Sequence, residues 1–133
     1  MINIEITSQN AFMQHLLKKD TFDEYILTSA IIKREVSLTL ENSAGEGDTE
    51  PLYKDYRAII YDFIKGSVAP KYMKLVLKSK DNPKNVSGRF INIIYKDGTM
   101  SLTTGIAYET FVLDKESERE WDDYINRFIA LLF

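Results

Sequence analysis

The chain has 133 residues, no cysteine, a single histidine and a net charge of −3. A chain of this length suits one domain and buries roughly two-thirds of the surface its unfolded form exposes, so it needs no disulfide or metal staple. Without cysteine and with His15 alone, it cannot build a thiolate zinc site, an iron–sulfur site, a cysteine nucleophile or a multi-histidine metal centre. Chemistry is left to carboxylate, lysine, tyrosine and hydroxyl groups, and no cofactor motif is present.

The start, Met1 to Ile6, lacks a basic and apolar leader, and no apolar run is long enough to cross a bilayer, so the expectation is a soluble cytoplasmic protein without a membrane partner. Asn85-Val86-Ser87 fits the glycosylation pattern by chance in such a protein. Ile2, Ile4 and Ile6 alternate with polar neighbours and predict a short first strand. Ser8 or Asn10 caps a helix running to about Lys18, with Phe12 and Leu16 on its inner face and His15 at the edge of that face.

From Tyr25 to Glu41, Ile26, Thr28, Ala30, Ile32, Arg34, Val36, Leu38 and Leu40 form one parity class, while the other turns polar after Ile31. This is strand periodicity over 17 residues, beyond the usual range, and it predicts a bulge or sharp bend near Ser29 or at Arg34. A hairpin at Lys33-Arg34 is the alternative, though its turn chemistry is wrong, because neither residue favours positive φ. Arg34 interrupts the apolar face. A bulge or a structural ion pair accounts for it, and anionic-ligand binding is the functional alternative.

Asn42 to Pro51 reads as a flexible loop. Pro51 then opens a helix with Leu52, Tyr56, Ile59, Ile60, Phe63 and Ile64 on its buried stripe, and Gly66 closes it. Tyr53, Tyr56 and Tyr61 cannot all face inward, which makes this helix a candidate protein interface, homodimeric or otherwise. Neither Lys65-Gly66-Ser67 nor Gly45-Glu46-Gly47 is a phosphate loop: the first ends a helix and the second sits among acids.

Tyr72 to Ser79 predicts a strand with Met73, Leu75 and Leu77 on one face and Lys74, Val76 and Lys78 on the other. Asp97-Gly98 supplies the two positive-φ positions of a type I′ turn and pairs Lys96 with Thr99, Tyr95 with Met100 and Ile93 with Leu102. Gly105 marks a kink, and Ile106 to Leu113 adds a further strand. Asp114 caps a last helix whose first turns carry Glu116, Glu118 and Glu120 beside the positive end of the helix dipole. These acids point in different directions and do not form a cation site. Trp121, Ile125, Phe128 and Leu132 make the apolar stripe, and Phe128 to Phe133 must dock on the sheet.

Charge is unevenly spread. Between Tyr53 and Lys96 ten Lys and Arg face three Asp, a local charge of +7, so the remainder carries −10. Tyr72, Lys74, Lys78, Lys80, Lys84 and Arg89 are the candidate nucleic-acid contacts, the cations for phosphates and the tyrosine for stacking. Solvated strand lysines that block edge pairing explain the same residues without a ligand.

Phe22-Asp23-Glu24-Tyr25-Ile26-Leu27 and Tyr108-Glu109-Thr110-Phe111-Val112-Leu113-Asp114, followed by Trp121-Asp122-Asp123-Tyr124, resemble a group of short bacterial proteins classed as a domain of unknown function. The likeness covers both ends of the chain and is weaker through Asn42 to Pro51. It implies a shared fold and a bacterial origin, and it carries over no catalytic residue.

The expected architecture is α+β: a twisted, mostly antiparallel sheet of five to seven strands with three helices on one face. The expected function is a cytoplasmic, non-enzymatic protein–protein interaction domain, a homodimer being one form. Nucleic-acid binding through the basic strand face and an enzyme or small-ligand site are the alternatives.

Overall fold

A computed structural model describes residues 1–66 and 68–133. The elements in chain order are β1 (Asn3–Ile6), α1 (Gln9–Leu17), β2 (Ile26–Lys33), β3 (Ser37–Glu41), α2 (Tyr53–Ile64), β4 (Tyr72–Lys78), β5 (Val86–Lys96), β6 (Thr99–Tyr108) and α3 (Glu116–Leu132). The strands form one sheet in the order β1-β6-β5-β4-β2-β3, with every pair antiparallel. This is an α+β fold with all three helices on one face of the sheet.

The β5–β6 hairpin has the register its turn residues demand. Asp97 and Gly98 both adopt positive φ, 52° and 79°, and Lys96 pairs with Thr99, Tyr95 with Met100 and Ile93 with Leu102. Ile91, Ile93, Met100 and Leu102 are consequently buried together. They meet Leu75 and Leu77 of β4, Ala30 and Ile32 of β2, and apolar residues of all three helices in one core. An aromatic cluster ties the ends of the chain into it: Phe22 meets Phe12 of α1 edge-on at 5.8 Å and Phe128 of α3 at 5.7 Å.

Residues 25–41 form a hairpin and not one bent strand. The register shifts between Leu27 and Ser29, the bulge expected there, and the chain reverses through Arg34, Glu35 and Val36 so that Lys33 pairs with Ser37. None of these three adopts positive φ, so the objection raised against a two-residue turn does not apply to this longer reversal. Ile32 pairs with Leu38 and Ala30 with Leu40. Even numbers pair with even numbers across an odd loop, so the period of two survives the turn and a hairpin imitates a long strand.

Three further expectations are corrected. The buried stripe of α2 is Tyr53, Ile60 and Ile64, whereas Ile59 is 48% exposed and Leu52 lies before the helix. The inward Tyr53 packs in the core with Ile60 and Ile64, and its hydroxyl donates to the Leu16 carbonyl at 2.8 Å. That carbonyl is one of the acceptors α1 leaves unpaired at its C-terminus. No strand follows Gly105 separately. Gly105 lies inside β6 opposite Phe90, and the strand ends at Tyr108. Phe111 and Leu113 stand in the connection to α3, each 87% exposed. Finally, α3 begins two residues after Asp114, whose Oδ1 still accepts from the Glu116 N–H at 2.9 Å, and its buried stripe is Trp121, Ile125 and Ile129.

Candidate functional site

The sheet face opposite the helices is uncovered. Its centre is built from rows of cross-strand neighbours. Lys33, Tyr72, Lys96 and Thr99 form one row, Ile31, Lys74, Ile94 and Ser101 the next, and Ser29, Val76, Asn92 and Thr103 a third. Lys78 and Phe90 are paired at the end. Alternation in β4 and β5 produces this layout directly, since every second residue of those strands points into the core.

Four lysines, Lys33, Lys74, Lys78 and Lys96, therefore share one surface with Tyr72 and Phe90. The outward positions of the four central strands carry no acid, and the two acids of this face, Glu5 and Glu41, lie on the edge strands β1 and β3. Among the described residues, none of the four lysines takes part in an ion pair; those pairs use Lys54, Arg57, Lys65, Lys80, Arg119 and the Met1 amino group. Lys33 lies 5.5 Å from the Tyr72 ring centroid, a cation–π contact. The Phe90 ring lies over Gly88, where a Cβ would come within 2.7 Å of it, and the Lys78 stem runs alongside. Glycine at 88 thus lets the ring lie flat on the sheet.

The structure divides the predicted contacts. Tyr72, Lys74 and Lys78 are on the uncovered face, joined by Lys33 and Lys96, which the reading of separate segments did not connect to them. Lys84 is exposed in the β4–β5 connection. Lys80 bonds Glu24 at 2.6 Å, and Lys54 meets the same carboxylate at 3.3 Å. These two ammonium groups, Lys80 first, hold the Glu24 carboxyl below its ordinary range. Arg89 turns to the helix side, where its guanidinium lies 4.8 Å from the Trp121 ring centroid.

Arg34 is structural: Nη1 donates to the Ile64 carbonyl at 3.1 Å, placing a cation at the negative end of α2. Tyr53 is fully buried and offers nothing to a partner, while Tyr56 and Tyr61 are half-buried against the core. The exposed face of α2 is instead made by Lys54, Asp55, Ala58, Ile59 and Asp62. His15 bonds the Thr21 hydroxyl oxygen through Nδ1 at 2.8 Å and meets Phe133 edge-on. Of the acids of α3, Glu118 and Asp122 converge on the Met1 amino group, and Asp122 also accepts from the Thr104 hydroxyl. Among the described residues no cluster of three metal-ligating side chains occurs, and no helix is long and apolar enough to cross a membrane. Ser67, named in the rejected phosphate-loop reading, lies outside the described residues.

The two segments that carry the family likeness are distant in sequence and meet in space. Glu24 and Tyr25 from the first and Trp121 and Tyr124 from the second line one cleft on the helix side. No curated protein and no solved structure matches the chain. A family model does match, over residues 15–131, and the chain accordingly belongs to the family of unknown function DUF5721.

Proposed function

We propose that this protein is a cytoplasmic, non-enzymatic binding domain whose uncovered sheet face takes an extended polyanion, single-stranded nucleic acid above all. The observation that carries this reading is the grouping of four lysines free of carboxylate partners with Tyr72 and Phe90 on an acid-free sheet centre. Lysines there attract phosphates at any sequence, and flat rings beside them give bases a surface to stack on. The overall charge of −3 does not oppose this, because acids such as Glu116, Glu120 and Asp123 lie on α3, behind the sheet. The molecule is electrically two-sided, and a polyanion would approach from one side.

The test is fluorescence anisotropy of labelled oligo-dT and oligo-U at low salt. Four phosphate contacts imply a slope of log affinity on log salt of about −3, so binding should weaken roughly 50-fold between 50 and 200 mM salt. Lys74→Ala should lower that slope by about 0.7. Absence of binding at 50 mM salt, or binding indifferent to salt, refutes the reading.

A protein partner is the second reading, and Phe111 and Leu113, each 87% exposed, favour it. Two large apolar side chains on one connection form the kind of surface that associates. Mass measured in solution across a wide concentration range tests the homodimeric form: a mass that stays at one chain throughout eliminates it.

A further inference from the structure

At the end of the sheet, on the side of the helices, a cleft of about 310 Å³ opens between the segment before β2, the β4–β5 connection and α3. Its walls are Glu24 and Tyr25, Lys80 and Asp81, Arg89, and Tyr124 beside Trp121. The volume lies at the lower end of the range for small-molecule sites. Three independent elements hold it in shape. Trp121 donates through Nε1 to the Phe90 carbonyl at 3.0 Å, and Tyr124 stacks on Trp121 at 5.7 Å with their planes 12° apart. Arg89 donates through Nε and Nη2 to the Asp81 carbonyl, at 3.1 and 2.6 Å, which anchors the β4–β5 connection.

The charges in this cleft are unequal in status. Lys80 is neutralised by Glu24, and Asp81 adds a second carboxylate to the lining that, among the described residues, pairs with neither cation. Arg89 has no carboxylate partner among the described residues, and its Nη1 makes no hydrogen bond there. A guanidinium held by one edge, flattened on an indole and left with a free donor is oriented to receive a carboxylate. The Tyr25 hydroxyl, half-buried in the wall and pushed up by burial, keeps its proton and supplies a second donor. Tyr124, 47% exposed and stacked on both Trp121 and Phe128, offers with Tyr25 apolar ring edges to the rest of a ligand.

We infer that this cleft is a binding site for a small aromatic carboxylate, with Arg89 receiving the carboxylate and Tyr25 and Tyr124 lining the seat of the ring. The site is separate from the uncovered sheet face, which lies on the other side of β4 and β5. Its existence does not depend on nucleic-acid binding.

Trp121 is the only tryptophan of the chain, so its indole N–H is a single reporter in the ¹⁵N-labelled full chain. Titrated benzoate should shift that resonance saturably, while benzamide and acetate, which lack the charge and the ring respectively, should bind at least tenfold more weakly. Arg89→Gln should reduce benzoate affinity at least tenfold. Because that substitution also loosens the β4–β5 connection, Tyr124→Leu serves as the second variant and should weaken benzoate at least threefold in a folded protein. Lys74→Glu on the sheet face should leave it unchanged. No saturable shift with benzoate up to 20 mM, or equal binding of benzamide, overturns the proposal and leaves Arg89 as a structural stack alone.

Discussion

The two faces of this sheet are made by the same strands and differ in almost everything physical. Leu75, Ile91, Ile93 and Leu102 point inward and are wholly buried, while their neighbours Lys74, Asn92, Ile94 and Ser101 point outward and are half-exposed. Stability resides in the first set because burying an aliphatic side chain contributes roughly 1.5–3 kcal/mol. The second set adds little to folding and is free to carry charge. The division teaches that β4 performs two tasks by parity alone, holding the core with one set of residues and presenting lysines with the other.

Truncation across the sheet breaks this comparison most directly. Leu75→Ala should cost about 3 kcal/mol through lost burial and the cavity left behind, whereas Val76→Ala, one residue away on the open face, should cost under about 1 kcal/mol. Urea unfolding of both variants checks it, and equal losses would show that the outer face is covered after all.

Alkaline pH probes the covered side. Burial pushes the hydroxyls of Tyr25 and Tyr53 up, so the folded protein keeps protons that the unfolded chain releases near 10.0. Their contribution is complete below that value and declines as pH rises through it, by about 1.4 kcal/mol per pH unit for each tyrosine. Tyr53→Phe should flatten the decline by one proton. At neutral pH the same variant leaves the Leu16 carbonyl without its donor and should cost about 1 kcal/mol. Stability against pH, measured for both proteins, tests the two effects together.

Turn strain gives a similar or smaller effect. Gly98→Ala places a side chain at a φ of 79° and should destabilise by about 1 kcal/mol, with the same substitution at Gly45, whose φ is not positive and whose added Cβ would meet Asp48 Oδ2 at an ordinary 3.6 Å, nearly neutral. Smallest is the exposed triad at Glu24. Its carboxyl is held down by Lys80 and Lys54, so its contribution is present above 4.5, the ordinary glutamate value, and fades as pH falls through the lower folded value. Glu24→Gln should remove that part of the acid dependence and leave stability at neutral pH little changed.

Much of the fold was legible because strands and turns have local signatures. Asp97-Gly98 specified a turn and, through it, the register of nine residue pairs, from Lys96 with Thr99 to Gly88 with Ala107. Residues 25–41 misled because pairing through an odd loop preserves parity, so no residue type marked the reversal at Arg34. The stripe of α2 misled for another reason: helical periodicity does not distinguish adjacent rotations, and the one adopted packs Tyr53 in the core with Ile60 and Ile64. Of the open face, Lys74 and Lys78 were legible from alternation in one strand, while Lys33 and Lys96 belong to it only through pairing with β4.

Taken alone, the order of amino acids determined the elements, the inward set of each strand and the absence of thiol and multi-histidine chemistry. Those properties depend on side-chain identity and spacings of two to four residues. Tertiary structure decided which sheet face stayed open and that Arg89 would leave the other basic residues to lie on Trp121. It also brought Tyr25 and Tyr124 together across 99 positions of chain. Each of these is a contact between segments far apart in sequence, chosen by packing and hydrogen-bond satisfaction summed over the whole core, a quantity no local pattern contains.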